Sequence, residues 1–164
     1  SVKAGLGHPL ARRNGQIEGE AALGNIAWTE DIAVGISPID EQHKQWIARL
    51  NEVTDAVESK LDLTRIGRTL EFLFDYTRFH FATEEKYMTE TGYPGIAEHL
   101  EKHAELRSTL EDLIQDYVEE GATHQLGEAV GATLANWLFD HIRNVDRQFA
   151  SYVKERNITL ADPE

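Results

Sequence analysis

The chain has 164 residues, enough for one domain with a sizeable core, and its 41% hydrophobic and 9% aromatic content is ordinary for a soluble globular protein. It contains no cysteine, which excludes disulfides, thiolate ligands, iron–sulfur clusters and cysteine nucleophiles, so any metal must be held by nitrogen and oxygen. A net charge of -13 argues against nucleic acid or an anionic membrane surface as partner; with no apolar run of the roughly 18 residues a span needs and no leader-like start, a cytoplasmic location without membrane insertion is expected.

Residues 1–27 are rich in Gly and Ala, group Arg12, Arg13 and Asn14 together, and lack a sustained helical period. They are expected to form an irregular arm or linker, with His8 exposed on it. Met88 is the only methionine and the chain opens at Ser1, which fits a processed product, a tagged chain or a piece of a longer protein. The folded domain is expected over 28–160.

Ser37-Pro38-Ile39-Asp40 joins a serine cap, a proline at the first helical position and an acid in the first turn, and so marks the start of a first helix. Ile39, Trp46, Ile47, Leu50, Val53 and Val57 recur on it at intervals of three and four, and His43 shares their stripe. A second helix is expected from Thr64 to Thr89, with Leu70, Leu73, Phe74, Thr77, Phe81 and Met88 buried and His80 and Glu84 continuing the series. Gly92-Tyr93-Pro94-Gly95 ends it. A third, from Ile96 to Glu119, lines up His99, His103, Leu106, Leu110, Leu113 and Tyr117 before Gly121. Thr123 caps a fourth, which carries Leu126, Val130, Leu134, Trp137, Leu138, His141, Val145, Phe149 and Val153 and frays after about Arg156; His124 falls outside the series and reads as a surface residue. Short connections force neighbouring helices to run antiparallel, so the expected fold is all-α, an up-down-up-down four-helix bundle preceded by the irregular arm.

Five histidines and two acids thus face inward: His43, His80, Glu84, His99, His103, His141 and Asp146. In His80-x-x-x-Glu84 and His99-x-x-x-His103 each pair sits one turn apart on one face, and the intervals from His43 to His80 and from His103 to His141 are 37 and 38 residues, as two hairpins of similar length require. So many buried polar groups would lack partners without cations. Seven ligands are too many for one ion but suffice for two if the carboxylates bridge, and two divalent ions against two carboxylates leave room for one further small anion. Imidazole with carboxylate suits iron, manganese, zinc or copper. A regular helix would leave Asp146 about 140° away from His141, so a widened or π-helical turn is expected between them.

The set His43, His80-x-x-x-Glu84, His99-x-x-x-His103 and His141-x4-Asp146, with Trp28, the Ile39-Asp40-Glu41-Gln42-His43 run and Tyr93-Pro94, closely resembles the hemerythrins, in particular the bacterial hemerythrin-like domains, over residues 28 to about 155. The resemblance implies a non-haem di-iron centre with His99, His103 and His141 on one iron, His43 and His80 on the other, and Glu84, Asp146 and an oxo or hydroxo group bridging. It further implies O2 as the ligand, bound at the open position of the two-histidine iron, and Trp137, Leu138 and Ile142 as an apolar wall around the gas. The function implied is reversible O2 binding, as a carrier or as the sensing domain of a larger signalling protein with other domains as partners. The alternative is a di-iron oxidase or peroxidase-like enzyme, or an iron, redox or nitric oxide sensor; oxygen-activating di-iron bundles typically use Glu-rich ligation with Glu-x-x-His pairs, and this chain offers five histidines.

Overall fold

Four apolar stripes, each about 100° wide, are buried together when four helices pack in a square with their stripes turned to its centre. That is the arrangement in the computed structural model, which describes residues 25–59 and 63–162. α1 spans Ser37–Ser59, α2 Thr64–Thr91 and α3 Ile96–Glu120. The fourth rod is continuous but not uniform: α4 covers His124–His141, a π-helical turn covers Ile142–Asp146, and α5 covers Arg147–Glu155. α1 packs on α2 and α4, and α3 packs on the same two, which closes the square with sequential helices antiparallel. There is no strand among the described residues, and no described helix is long and apolar enough to cross a membrane. The chain is a four-helix bundle, as the periodicity predicts.

Local chemistry sets the ends. Thr123 Oγ1 accepts from the Leu126 amide at 3.0 Å, the predicted cap of α4. At the other end of α2, Gly92 takes φ 64°, its N–H reaches the Thr89 carbonyl, and the Tyr93 N–H reaches that of Met88 at 2.9 Å. This is a Schellman closure, and it needs a residue that tolerates the left-handed region. Asn157, at φ 51°, closes α5 in the same way, with Ile158 N–H bonded to the Val153 carbonyl. The buried faces follow the expected stripes, except that Phe74, Tyr117, Val145 and Trp137 are only half-buried.

Ahead of α1, residues 25–36 form a strap. The Asn51 side chain clamps Ile26 by accepting from its N–H at 2.8 Å and donating to its carbonyl at 2.9 Å. A 3-10 turn at Glu30–Ile32 drives Ile32 into the core, and the Asp40 carboxylate accepts from the amides of Val34 and Gly35 at 2.8 and 2.9 Å. The expectations for residues 1–24, His8 and the Arg12-Arg13-Asn14 group among them, lie outside the described residues.

The interior is divided in two. A large apolar cluster around Trp46, Leu50, Ile66, Leu73, Leu106 and Leu134 fills one end, and a smaller one around Ile39, Tyr87, Met88, Tyr93 and Phe149 fills the other. Between them lies a buried polar layer containing the seven candidate residues.

The widened turn expected in the fourth helix is present, with the Arg147 N–H reaching back five residues to the Ile142 carbonyl. One residue is absorbed there, so Asp146, Phe149, Ala150 and Val153 face inward as though each stood one place earlier in a regular helix. Deleting the exposed Asn144 is therefore expected to convert the turn to regular α-helix, keep those four side chains inside and preserve the helical circular dichroism. A loss above about 2 kcal/mol, roughly 4–8 °C in Tm for a chain of this size, would show that the turn does more than set phase.

Candidate metal centre

Each helix brings its share of the polar layer for the same reason: the candidate residues occupy positions within the apolar stripe. α1 supplies His43, α2 His80 and Glu84, α3 His99 and His103, α4 His141, and the π turn Asp146. None of the seven is more than 3% exposed. The structure brings every sequence-predicted ligand to one place.

The two carboxylates stand at the centre and face both ways. Glu84 turns Oε1 to His80 Nε2 at 3.3 Å and Oε2 to the Nε2 atoms of His103 and His99 at 2.9 and 3.3 Å. Asp146 turns Oδ2 to His43 Nε2 at 3.1 Å and Oδ1 to those of His141 and His99 at 2.9 and 3.3 Å. Each acid thus offers one oxygen to the His43–His80 side and the other to the His99–His103–His141 side. Two overlapping donor sets result, Glu84 with His99, His103 and His141, and His43 and His80 with Glu84 and Asp146; within each the donor atoms lie within 4.8 Å of one another. His43 Nε2, His141 Nε2, Glu84 Oε1 and both Asp146 oxygens are buried yet satisfied by no hydrogen bond among the described residues. Donor atoms that converge closely without hydrogen-bond alignment are what a cation, rather than a proton, would satisfy.

The electrostatics agree. Burial pushes His80 down to about 4 despite the nearby carboxylates, so it is neutral. Burial also opposes charge on His99 and His43, but there the acids win: Asp146 and Glu84 lift His99 to about 9, and Asp146 raises His43. Burial and the Asp146 charge push the Glu84 carboxyl up, but His80, His103 and His99 outweigh them and hold it below the usual carboxylate range. Burial likewise opposes ionisation of Asp146, yet His141, His43 and His99 hold it well below its ordinary value. Two buried carboxylates are therefore ionised, and a proton on His99 occupies a position that a cation would compete for.

The rings are braced. Phe81 lies flat on His103, centroids 3.6 Å apart at 5°, and Trp137 stacks on His141 at 4.3 Å and 17°. Leu138 and Ile142 are buried in the large apolar cluster. His103 Nδ1 meets Glu85 Oε1 at 3.0 Å, and His80 Nδ1 meets Gln42 Oε1 at 2.7 Å. Gln42, Thr83, Glu85 and Phe81 shape the centre and are not found by reasoning from ligand spacing. Phe81 is visible as a core position, and Gln42 stands in the Ile39–His43 run that carries the family resemblance without its role being legible there, whereas nothing in the neighbourhood of Glu85 separates it from surface polar residues. A cleft of about 20 Å³ between Tyr93, Glu98, Asn144 and Val145 reaches His99 from outside, room for one water molecule.

Comparison with known proteins points the same way. The family model described as hemerythrin HHE cation binding domain matches residues 34–153. A bacteriohemerythrin of Stenotrophomonas maltophilia is 35% identical over 133 residues, covering 79% of this chain and 82% of its own, and one of Pseudomonas aeruginosa is 35% identical over 136 residues, covering 80% and 84%. Among solved structures, a wild-type hemerythrin superposes with a TM-score of 0.71 at 26% identity, over 78% of this chain and 97% of its own. With a matching family model over most of its length, relatives at this identity and the donor set in place, the chain belongs to the hemerythrin family.

Proposed function

We propose that the chain binds O2 reversibly at a non-haem di-iron centre, with His99, His103 and His141 holding one iron, His43 and His80 the other, and Glu84 and Asp146 shared between them. The observation that carries this reading is the orientation of the two carboxylates, each with one oxygen toward either group of histidines. Two irons joined by an oxo or hydroxo group would supply the pair of electrons with which the gas is held. Two histidines on one side against three on the other leave the His43–His80 side with fewer donors, and there the ligand would enter.

The chain's own residues supply the rest. Neutral imidazoles donate less charge than carboxylates, which favours holding the gas over cleaving it; the oxygen-activating bundles lean on Glu. Leu138 and Ile142 keep water from the buried layer, and Trp137 and Phe81 hold His141 and His103 against rotation. As an independent unit the chain is a carrier; joined to further domains of a longer chain it is a sensor module.

Three expected outcomes test this. Iron-loaded protein should carry two irons per chain, and the anaerobically reduced form should gain and lose its visible colour repeatedly as O2 is admitted and withdrawn. One irreversible turn would instead mark an oxidase, and absence of iron after loading would overturn the reading altogether.

Metal uptake should also depend on pH. His99, lifted to about 9, must give up its proton when metal enters, so affinity climbs as pH rises and levels off near pH 9; the upward shift of His43 acts in the same direction. Those raised values stabilise the metal-free chain below about pH 6.5, and that contribution fades as pH passes 9. Loading at pH 7.5 in weak buffer should release about one proton per chain from His99; release of none would contradict the proposed ligation.

Leu138→Ala should accelerate oxidation of the diferrous protein by opening the apolar wall, at a stability cost of about 2–5 kcal/mol. An unchanged oxidation rate in a folded variant would reduce Leu138 to packing.

A further inference from the structure

Behind two of the histidines stand side chains that no ligand spacing reveals, and they differ in charge. We propose that Gln42 is a positioning residue that fixes His80 with its proton on Nδ1 and its Nε2 lone pair toward the cavity, while Glu85 backs His103 with a carboxylate, so that the two ends of the centre receive imidazoles of unequal donor strength; this rests on the two-metal reading above.

The polarity can be followed atom by atom. The Phe79 carbonyl can only accept, so the Thr83 hydroxyl, 3.1 Å away, donates its single proton there. Thr83 Oγ1 then has only lone pairs for Gln42 Nε2, which donates to it at 3.1 Å. The amide is thereby oriented, and its oxygen falls 2.7 Å from His80 Nδ1. An amide oxygen is an acceptor, so His80 Nδ1 must carry the proton, and Nε2, which faces Glu84 and the cavity, is left as a lone pair. Gln42 and Thr83 are both buried, so water does not compete for these bonds.

His103 is held by the same kind of bond from a different partner. Its Nδ1 meets Glu85 Oε1 at 3.0 Å, and Arg107 Nη1 lies 3.6 Å from that oxygen, pairing with the half-buried acid. A carboxylate draws the Nδ1 proton more strongly than an amide does, leaving more electron density on Nε2. The His103 side is therefore the better donor and favours the higher oxidation state; the His80 side, backed by a neutral amide, resists it. Gln42 would thus favour the reduced state of a metal held on the side with fewer donors.

The test uses the full chain and two metals. Loaded with zinc, which is diamagnetic, the wild type should show a His80 Nδ1–H proton resonance protected from solvent exchange. Gln42→Leu should lose it and bind the ion on the His43–His80 side about 10–100-fold more weakly, by competition with a chelator. Gln42→Glu, which restores an acceptor, should recover both. Thr83→Val, nearly isosteric and not itself a proposed ligand, should weaken the same ion, because it frees the amide to turn. Loaded with iron, Gln42→Glu and Glu85→Gln should each bring the midpoint potentials of the two one-electron steps closer together, the first by lowering the higher and the second by raising the lower. Wild-type zinc affinity with a protected proton in Gln42→Leu would overturn the proposal, as would an unchanged separation of potentials in both charge variants. A wild type that takes two zinc ions in a Gln42-dependent way, yet never cycles O2, would support this inference and overturn only the O2 reading.

Discussion

Seven polar side chains buried in one layer between two apolar clusters constrain everything else in this bundle. Removing an ionised carboxylate from water costs several kcal/mol even after relaxation, and two are buried here, against a net stability for such a domain of about 5–15 kcal/mol. The layer is tolerable only when the charges are matched closely, so all four rods must bring their donors to one depth. Helix register is consequently set by the polar layer as firmly as by the apolar packing on either side. A slip of one residue in any helix would move a histidine out by about 100° and leave the two carboxylates under-compensated.

The π turn is the clearest consequence. His141 and Asp146 both belong to the layer, yet five residues separate them, and a regular helix cannot aim both inward. The mismatch is legible in the sequence because it is arithmetic within one helix. The same holds for the His80–Glu84 and His99–His103 pairs, for the stripe positions, and for the Thr123 cap, whose partners lie three or four residues away. Ends defined by a single glycine, such as Gly92, were legible to within two residues, since the left-handed closure reveals itself by residue type.

What the sequence left dark depends on contacts between helices. Gln42 and His80 are 38 residues apart, and their bond exists because α1 and α2 pack at a depth that no spacing within either helix sets. Glu85 follows Glu84 directly and differs from it by the turn of one residue, which places it at the edge of the layer against His103 and Arg107. In a chain with 29 acidic residues, nothing about its type or local spacing marks it. The stacking of Phe81 on His103 was hidden for another reason: an aromatic on an apolar stripe reads as core, and it is core, while also bracing a histidine.

The strap ahead of α1 connects the layer to the molecular surface. The Asp40 carboxylate, one turn before His43, holds the Val34 and Gly35 amides, and the Arg147 guanidinium, adjacent to Asp146, donates to the Asp31 carbonyl. His43 and Asp146 face each other across 3.1 Å, so the strap is fastened to the two backbone segments that present the Oδ2 end of the central carboxylate. The strap's two anchors, Asp40 and Arg147, thus sit beside the two groups that meet across the Oδ2 end, His43 and Asp146.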